Sequence, residues 1–155
     1  MRRLGPDEWQ AFRVVRLAAL KDAPYAFGST YEAEVNRTEE RWRSALADRT
    51  RFVAESEGEV IGTVGAGPSD VTGTAALTAL WVAPAARGRG VGEALVNTVL
   101  GWAKDAGYER VMLWVVEGNS SAESLYRRTG FRRTGSVQMV RPGDPRIEYE
   151  MSLTL

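Results

Sequence analysis

The 155-residue chain contains no cysteine and no histidine, and these two absences remove much of the usual side-chain chemistry. Without cysteine there is no disulfide, no thiolate nucleophile and no acyl-cysteine intermediate. Without histidine the commonest neutral-pH base and the commonest metal ligand are both missing, so no metal is expected. Acid–base work falls to Asp, Glu, Tyr, backbone or water. An excess of either charge is lacking too, with 20 Lys plus Arg against 20 Asp plus Glu and a sequence pI of about 6.4. No basic field points to nucleic acid or to an anionic membrane surface. The sequence holds no apolar run of the roughly 18 residues that a membrane span needs. Met1-Arg2-Arg3 leads into polar, proline-containing sequence and not into an apolar signal core, so a soluble cytoplasmic protein is expected. What is present, 44% hydrophobic residues without low-complexity sequence, suffices for one core in a single domain spanning 1–155.

The most informative stretch is Leu80-Trp81-Val82-Ala83-Pro84-Ala85-Ala86-Arg87-Gly88-Arg89-Gly90-Val91-Gly92. An apolar β-prone run ends at Pro84, a glycine-rich turn with two arginines follows, and a helical pattern (Val91, Ala94, Leu95, Val99, Trp102) begins. A helix start leaves its first N–H groups without backbone partners and carries partial positive charge, so a glycine loop feeding one suits a phosphate. The arginines add charge and forked donors. A nucleoside-triphosphate P-loop would need Gly-Lys-Ser/Thr at the helix start, which Gly90-Val91-Gly92 lacks. A dinucleotide fold wants G-x-G-x-x-G in an early βαβ unit, and Gly88-x-Gly90-x-Gly92 has the wrong spacing in mid-chain. A purely structural turn with solvated arginines stays open.

Along the chain, Arg2 to Leu4 suggests a short strand and Gly5-Pro6-Asp7-Glu8 a helix start, with Trp9, Phe12, Val15, Leu17 and Leu20 as the apolar face. The aromatic loop Tyr25 to Tyr31, either core filler or a pocket wall, leads to a polar helix from Glu39 to Ala47. Arg51–Glu57 and Val60–Ala66 alternate around Gly58-Glu59 as a hairpin. A strand from Ala75 to Val82 feeds the glycine loop, and the helix after the loop should stop near Gly107. The strand Arg110 to Val116 follows, then a helix opened by Ser120 and Glu123 at capping-box spacing and closed by Gly130. Val137–Val140 and Ile147–Leu153 form a C-terminal hairpin. This order predicts a mixed α/β fold with helices on both faces of the sheet and parallel neighbouring strands at Ala75–Val82 and Arg110–Val116.

The strand Leu80-Trp81-Val82, Pro84, Arg87-x-x-Gly90-x-Gly92, Asn119, Ala122, Tyr126 and Gly130-Phe131 together resemble the GCN5-related N-acetyltransferase (GNAT) family. The resemblance implies a twisted mixed sheet of about seven strands whose central parallel strands splay to admit acetyl-CoA. It implies that Leu80, Trp81 and Val82 pair with the pantetheine arm, the Val82 N–H acting as oxyanion donor. The amides of Arg87, Gly88, Arg89, Gly90, Val91 and Gly92 would hold the pyrophosphate, with Asn119 and Ala122 near the pantetheine. Tyr126 would protonate the leaving thiolate. Taken alone, Asn119 reads as a helix-flanking turn residue and Tyr126 as a core aromatic.

The chain departs from the family pattern in the base, because Thr74-Ala75-Ala76-Leu77-Thr78 carries no carboxylate before the loop. Glu117, Glu34 and Glu32 are the remaining candidates, with water relayed to a distal carboxylate as the expected arrangement. Many family members that modify protein N-termini carry Glu five residues before the Asn, where this chain has Trp114. The expected reaction is direct attack of a small primary amine in a ternary complex, the amine lodged by Tyr25, Phe27 and Tyr31 and the region after Gly135. A protein-directed acetyltransferase and a non-catalytic acyl-CoA-binding module are the alternatives, and the C-terminal strands would suit a homodimer.

Overall fold

The computed structural model describes residues 1–155. Its first half comprises β1 (Arg2–Arg3), α1 (Trp9–Asp22), α2 (Tyr31–Glu34), α3 (Glu39–Asp48), β2 (Thr50–Ser56) and β3 (Glu59–Pro68). The second half adds β4 (Thr74–Val82), α4 (Val91–Asp105), β5 (Arg110–Val116), α5 (Ser120–Arg128), β6 (Arg132–Met139) and β7 (Ile147–Thr154). The seven strands form one sheet in the order β1-β2-β3-β4-β5-β7-β6. Only β4 and β5 run parallel, so the expected mixed sheet is present with its parallel pair at the centre.

Alternation along β2 sorts the core onto two faces. Phe52 and Ala54 join Val64, Ala66 and Leu77 beneath α4, which buries Leu95, Val96, Val99 and Ala103 against them. Val53 turns to the opposite face and packs with Phe12, Leu17, Trp42 and Leu46 of α1 and α3. Each fully buried Leu, Val or Phe contributes about 1.5–3 kcal/mol relative to exposure, so both faces are needed to hold the sheet.

The centre of the sheet opens. β4 and β5 pair only where Thr74–Ala76 lie beside Arg110–Met112, and further along they part. The cause lies in β4: Thr63 faces Trp81 while Gly65 faces Thr78, so Ala79 and Leu80 together oppose Val64. Ala79 adopts φ +53°, an uncommon left-handed conformation for a non-glycine residue. A bulge of this kind bends its strand and increases local twist, which turns the end of β4 away from β5.

Four local expectations are corrected. α1 starts at Trp9 and not at Pro6, because Glu8 accepts a hydrogen bond from the Gly5 N–H at 2.5 Å and pairs with Arg2 at 2.8 Å, fixing a turn first. The hairpin turns at Glu57-Gly58, where φ of +52° and +82° match a type I′ turn. α5 is capped by Asn119, whose side chain accepts from the Ala122 N–H, while Glu123 binds Arg127 and Arg133 and does no capping. β6 begins at Arg132, well before Val137, and is exposed along its whole length, so it carries no alternating apolar signal.

Phe131, just before β6, is fully buried and edge-on to Tyr126 with ring centroids 5.9 Å apart. Phe131→Ala should cost about 3–5 kcal/mol, the scale for emptying a buried aromatic site. A urea titration with an unshifted midpoint would show that this corner does not rest on the ring.

Candidate active site

Beyond Ala76 and Met112 the facing edges of β4 and β5 have no strand partner. The Ala83 N–H donates to the Ile61 carbonyl at 2.8 Å, so Ala83 and Trp81 direct their backbone groups toward β3. By alternation, Leu80 and Val82 direct theirs into the gap. The Val82 carbonyl accepts from Arg87 Nε at 3.0 Å, which leaves the Val82 N–H as the donor facing the opening.

A cleft of about 710 Å³ lies along this edge. Leu80, Trp81, Val82, Arg87, Gly88, Gly90, Val91, Gly92, Asn119 and Ala122 all line it. Gly88 and Gly90 adopt φ of +77° and +79°, which turn the chain sharply into α4. No side chain caps α4, so its first N–H groups are free to meet an anion. Gly92 serves packing, because a Cβ there would sit 3.0 Å from Leu125 Cδ2 on α5.

The two loop arginines play different parts from those expected. Arg87 Nη2 is 2.5 Å from Asp22, which also accepts from Trp81 Nε1 at 2.9 Å. The Trp81 hydrogen bond and the Arg87 guanidinium hold the Asp22 carboxyl below its usual range. Arg87 therefore ties the loop to α1. Arg89 does not line the cleft, whereas Arg128 of α5, unremarked in the sequence, does.

A second cavity of about 330 Å³ shares Ala26, Phe27, Leu80, Asn119 and Ala122 with the first and reaches toward α1. Tyr126 lines it, and burial pushes its phenol well above the usual tyrosine range, so it stays protonated. Glu148 of β7 lines it as well, its carboxyl raised by burial against the opposing pull of a Gln138 hydrogen bond and Arg146. The aromatic loop forms part of the wall through Phe27. Arg146 donates to the carbonyls of Pro24, Tyr25 and Phe27 at 3.2–3.4 Å, and Arg141 donates to that of Gly28 at 2.6 Å. The β6–β7 turn thus holds the loop over the cavity.

Not every expected residue comes to the site. Tyr25 and Phe27 line the first cleft, but Tyr31 packs with the core beside α1. Glu34 is 1% exposed and ion-paired to Arg16 at 3.0 Å and Arg37 at 3.3 Å. Burial alone would raise its pKa, yet the Arg16 hydrogen bonds hold it below the usual carboxylate range, which is wrong for a base. Glu117 and Glu32 are exposed and line neither opening. Glu148 is the carboxylate that sequence reasoning missed, and the alternation Ile147-Glu148-Tyr149-Glu150 was its only trace.

A model of the acetyltransferase (GNAT) family matches residues 14–131. N-acetyltransferase 8 of Rattus norvegicus is 40% identical over 103 residues, which are 63% of this chain and 46% of that protein. The match thus spans about half the length of that curated relative or less. A GNAT acetyltransferase of Streptococcus pneumoniae superposes with a TM-score of 0.80 at 20% identity, covering 99% of this chain and 98% of the other. A GNAT acetyltransferase of Elizabethkingia anophelis, solved with acetyl-CoA bound, gives a TM-score of 0.65 at 20% identity, covering 77% of this chain and 85% of the other. With a parted pair of central strands, a glycine loop opening α4 and a family match across most of its length, the chain belongs to the GNAT acetyltransferase family.

Proposed function

We propose that the protein transfers an acetyl group from acetyl-CoA to the primary amine of a small molecule, by direct attack. The observation that carries this reading is the continuity of the two openings: they meet at Leu80, Asn119 and Ala122, between the unpaired edges of β4 and β5. The larger cleft suits an extended ligand with a phosphate end, since it runs from strand-edge backbone donors to the free N–H groups of α4. Acetyl-CoA would supply the activated acetyl group.

The remaining work falls to the chain's own residues. The Val82 N–H offers a fixed donor for charge developing on a carbonyl oxygen. Tyr126 is protonated at neutral pH and holds a proton for a departing thiolate. Glu148 takes the proton from the incoming ammonium, directly or through water, and burial tunes it toward neutrality for that task. The smaller opening has the size of a small-molecule site and a roof held by Arg141 and Arg146, which favours a compact acceptor over a protein chain.

Calorimetry should find CoA and acetyl-CoA binding far more tightly than NAD or ATP. Gly90→Val, strained by about 1–2 kcal/mol at a left-handed position, should weaken CoA binding about tenfold or more. Unchanged affinity would leave the loop a merely structural turn.

Tyr126→Phe should lower kcat by about 10²- to 10⁴-fold with little change in CoA affinity, and full activity at saturation would remove the phenol from the mechanism. For Glu148 the pH profile is the sharper test. A base must be ionised to act, so the rate should fall as pH drops through its raised pKa, and Glu148→Gln should abolish that acidic limb. Survival of the limb in the variant would assign it to another group.

A further inference from the structure

The smaller opening contains an excess of positive charge that the acetyl-transfer reading does not use. Arg16, Arg49 and Arg51 all line it. Arg16 is matched by Glu34, which it shares with Arg37, but Arg49 and Arg51 form no ion pair. Nη1 of Arg49, Nε of Arg51 and Oγ1 of Thr78 are shielded from solvent without a hydrogen-bond partner. Three of the four such atoms in the protein thus belong to residues that line one small cavity. Buried donors left unpaired, above all charged ones, are costly and call for a partner.

The backbone is shaped to put these groups there. Arg51, Gly65 and Thr78 are cross-strand neighbours on β2, β3 and β4, on the face opposite α4. A Cβ at Gly65 would lie 2.6 Å from both Arg51 Nη1 and Thr78 Oγ1, and one at Gly67 would lie 3.0 Å from Arg49 Nη1. The two glycines therefore form a trough through which both arginines extend toward the parted strands. Arg51 rests against the Phe12 ring at 4.8 Å from its centroid. That contact is a cation–π one and satisfies none of the guanidinium's N–H donors, of which Nε has no hydrogen-bond partner. Burial, with Arg16 and Arg49 nearby, pushes Arg51 down to about 10, so it stays charged at neutral pH. Across the cavity, beyond β3, β4 and β5, stands Glu148.

We infer that the acceptor is an amine that also bears an anionic group, carboxylate or phosphate, held by Arg49, Arg51 and Thr78 while its amino end meets Glu148. The inference rests on the acetyltransferase reading and names its substrate class. An amino acid or a compound built like one has this charge pattern, and an uncharged-tail amine leaves the guanidinium donors unmatched.

The test uses matched pairs: leucine, phenylalanine and methionine, each against its decarboxylated amine and its aminophosphonate. Binding is followed by calorimetry with CoA present, and turnover by thiol release from acetyl-CoA. Anionic members should bind and react at least tenfold better than the decarboxylated amines, and the phosphonates tell which anion is preferred. Arg51→Met and Arg49→Met should each erase most of that preference while CoA affinity and Tm hold. Gly65→Ala should do the same by displacing the guanidinium without removing its charge. Anion preference without acetyl transfer would overturn the transfer reading and leave the anion site standing. Transfer to amines with no anion preference, a preference untouched in all three variants, or no binding of any panel member would overturn the site.

Discussion

A backbone that declines to pair holds the centre of this protein. Parallel strands β4 and β5 begin as neighbours and then separate, and the bulge at Ala79-Leu80 is what separates them. A sheet would ordinarily satisfy those N–H and C=O groups internally. Here they stay available between two packed faces, so the fold carries a ready strand position for something other than itself. The loop, α4 and α5 are arranged around that vacancy in the hydrogen-bond ladder.

Much of this was legible in sequence because it is local. The run Leu80–Val82, the spacing of Gly88, Gly90 and Gly92, and the helical period after Val91 all lie within a few residues of one another, and their geometry follows from short-range rules. The same locality failed where a side chain had a choice of partners. Glu8 bonded to the Gly5 N–H and delayed α1, and Asn119 took the cap assigned to Ser120. β6 was visible only in part because an exposed strand has no apolar face to betray it.

The smaller cavity was mostly illegible, and for a topological reason. Arg51 and Glu148 stand far apart in sequence and on strands β2 and β7, and only the sheet order brings both to one cavity. Glu34, by contrast, looked available in sequence and is held in an ion pair by Arg16. No periodicity distinguishes a carboxylate facing a cavity from one facing a guanidinium. The trough made by Gly65 and Gly67 had a faint signature, glycine alternating within a strand, which marks close approach by another group.

Asp22, at the end of α1, joins Trp81 of β4 and Arg87 of the glycine loop through one carboxylate. A ligand that settles the loop must therefore also settle the last turn of α1 and the Pro24–Gly28 segment that follows it. Thermodynamic reciprocity makes the effect mutual, so a ligand in the smaller cavity that steadies this segment steadies the loop by an equal free energy. Two ligands on either side of Asp22 would then sense one another through a shared hinge post, each held more tightly when the other is in place.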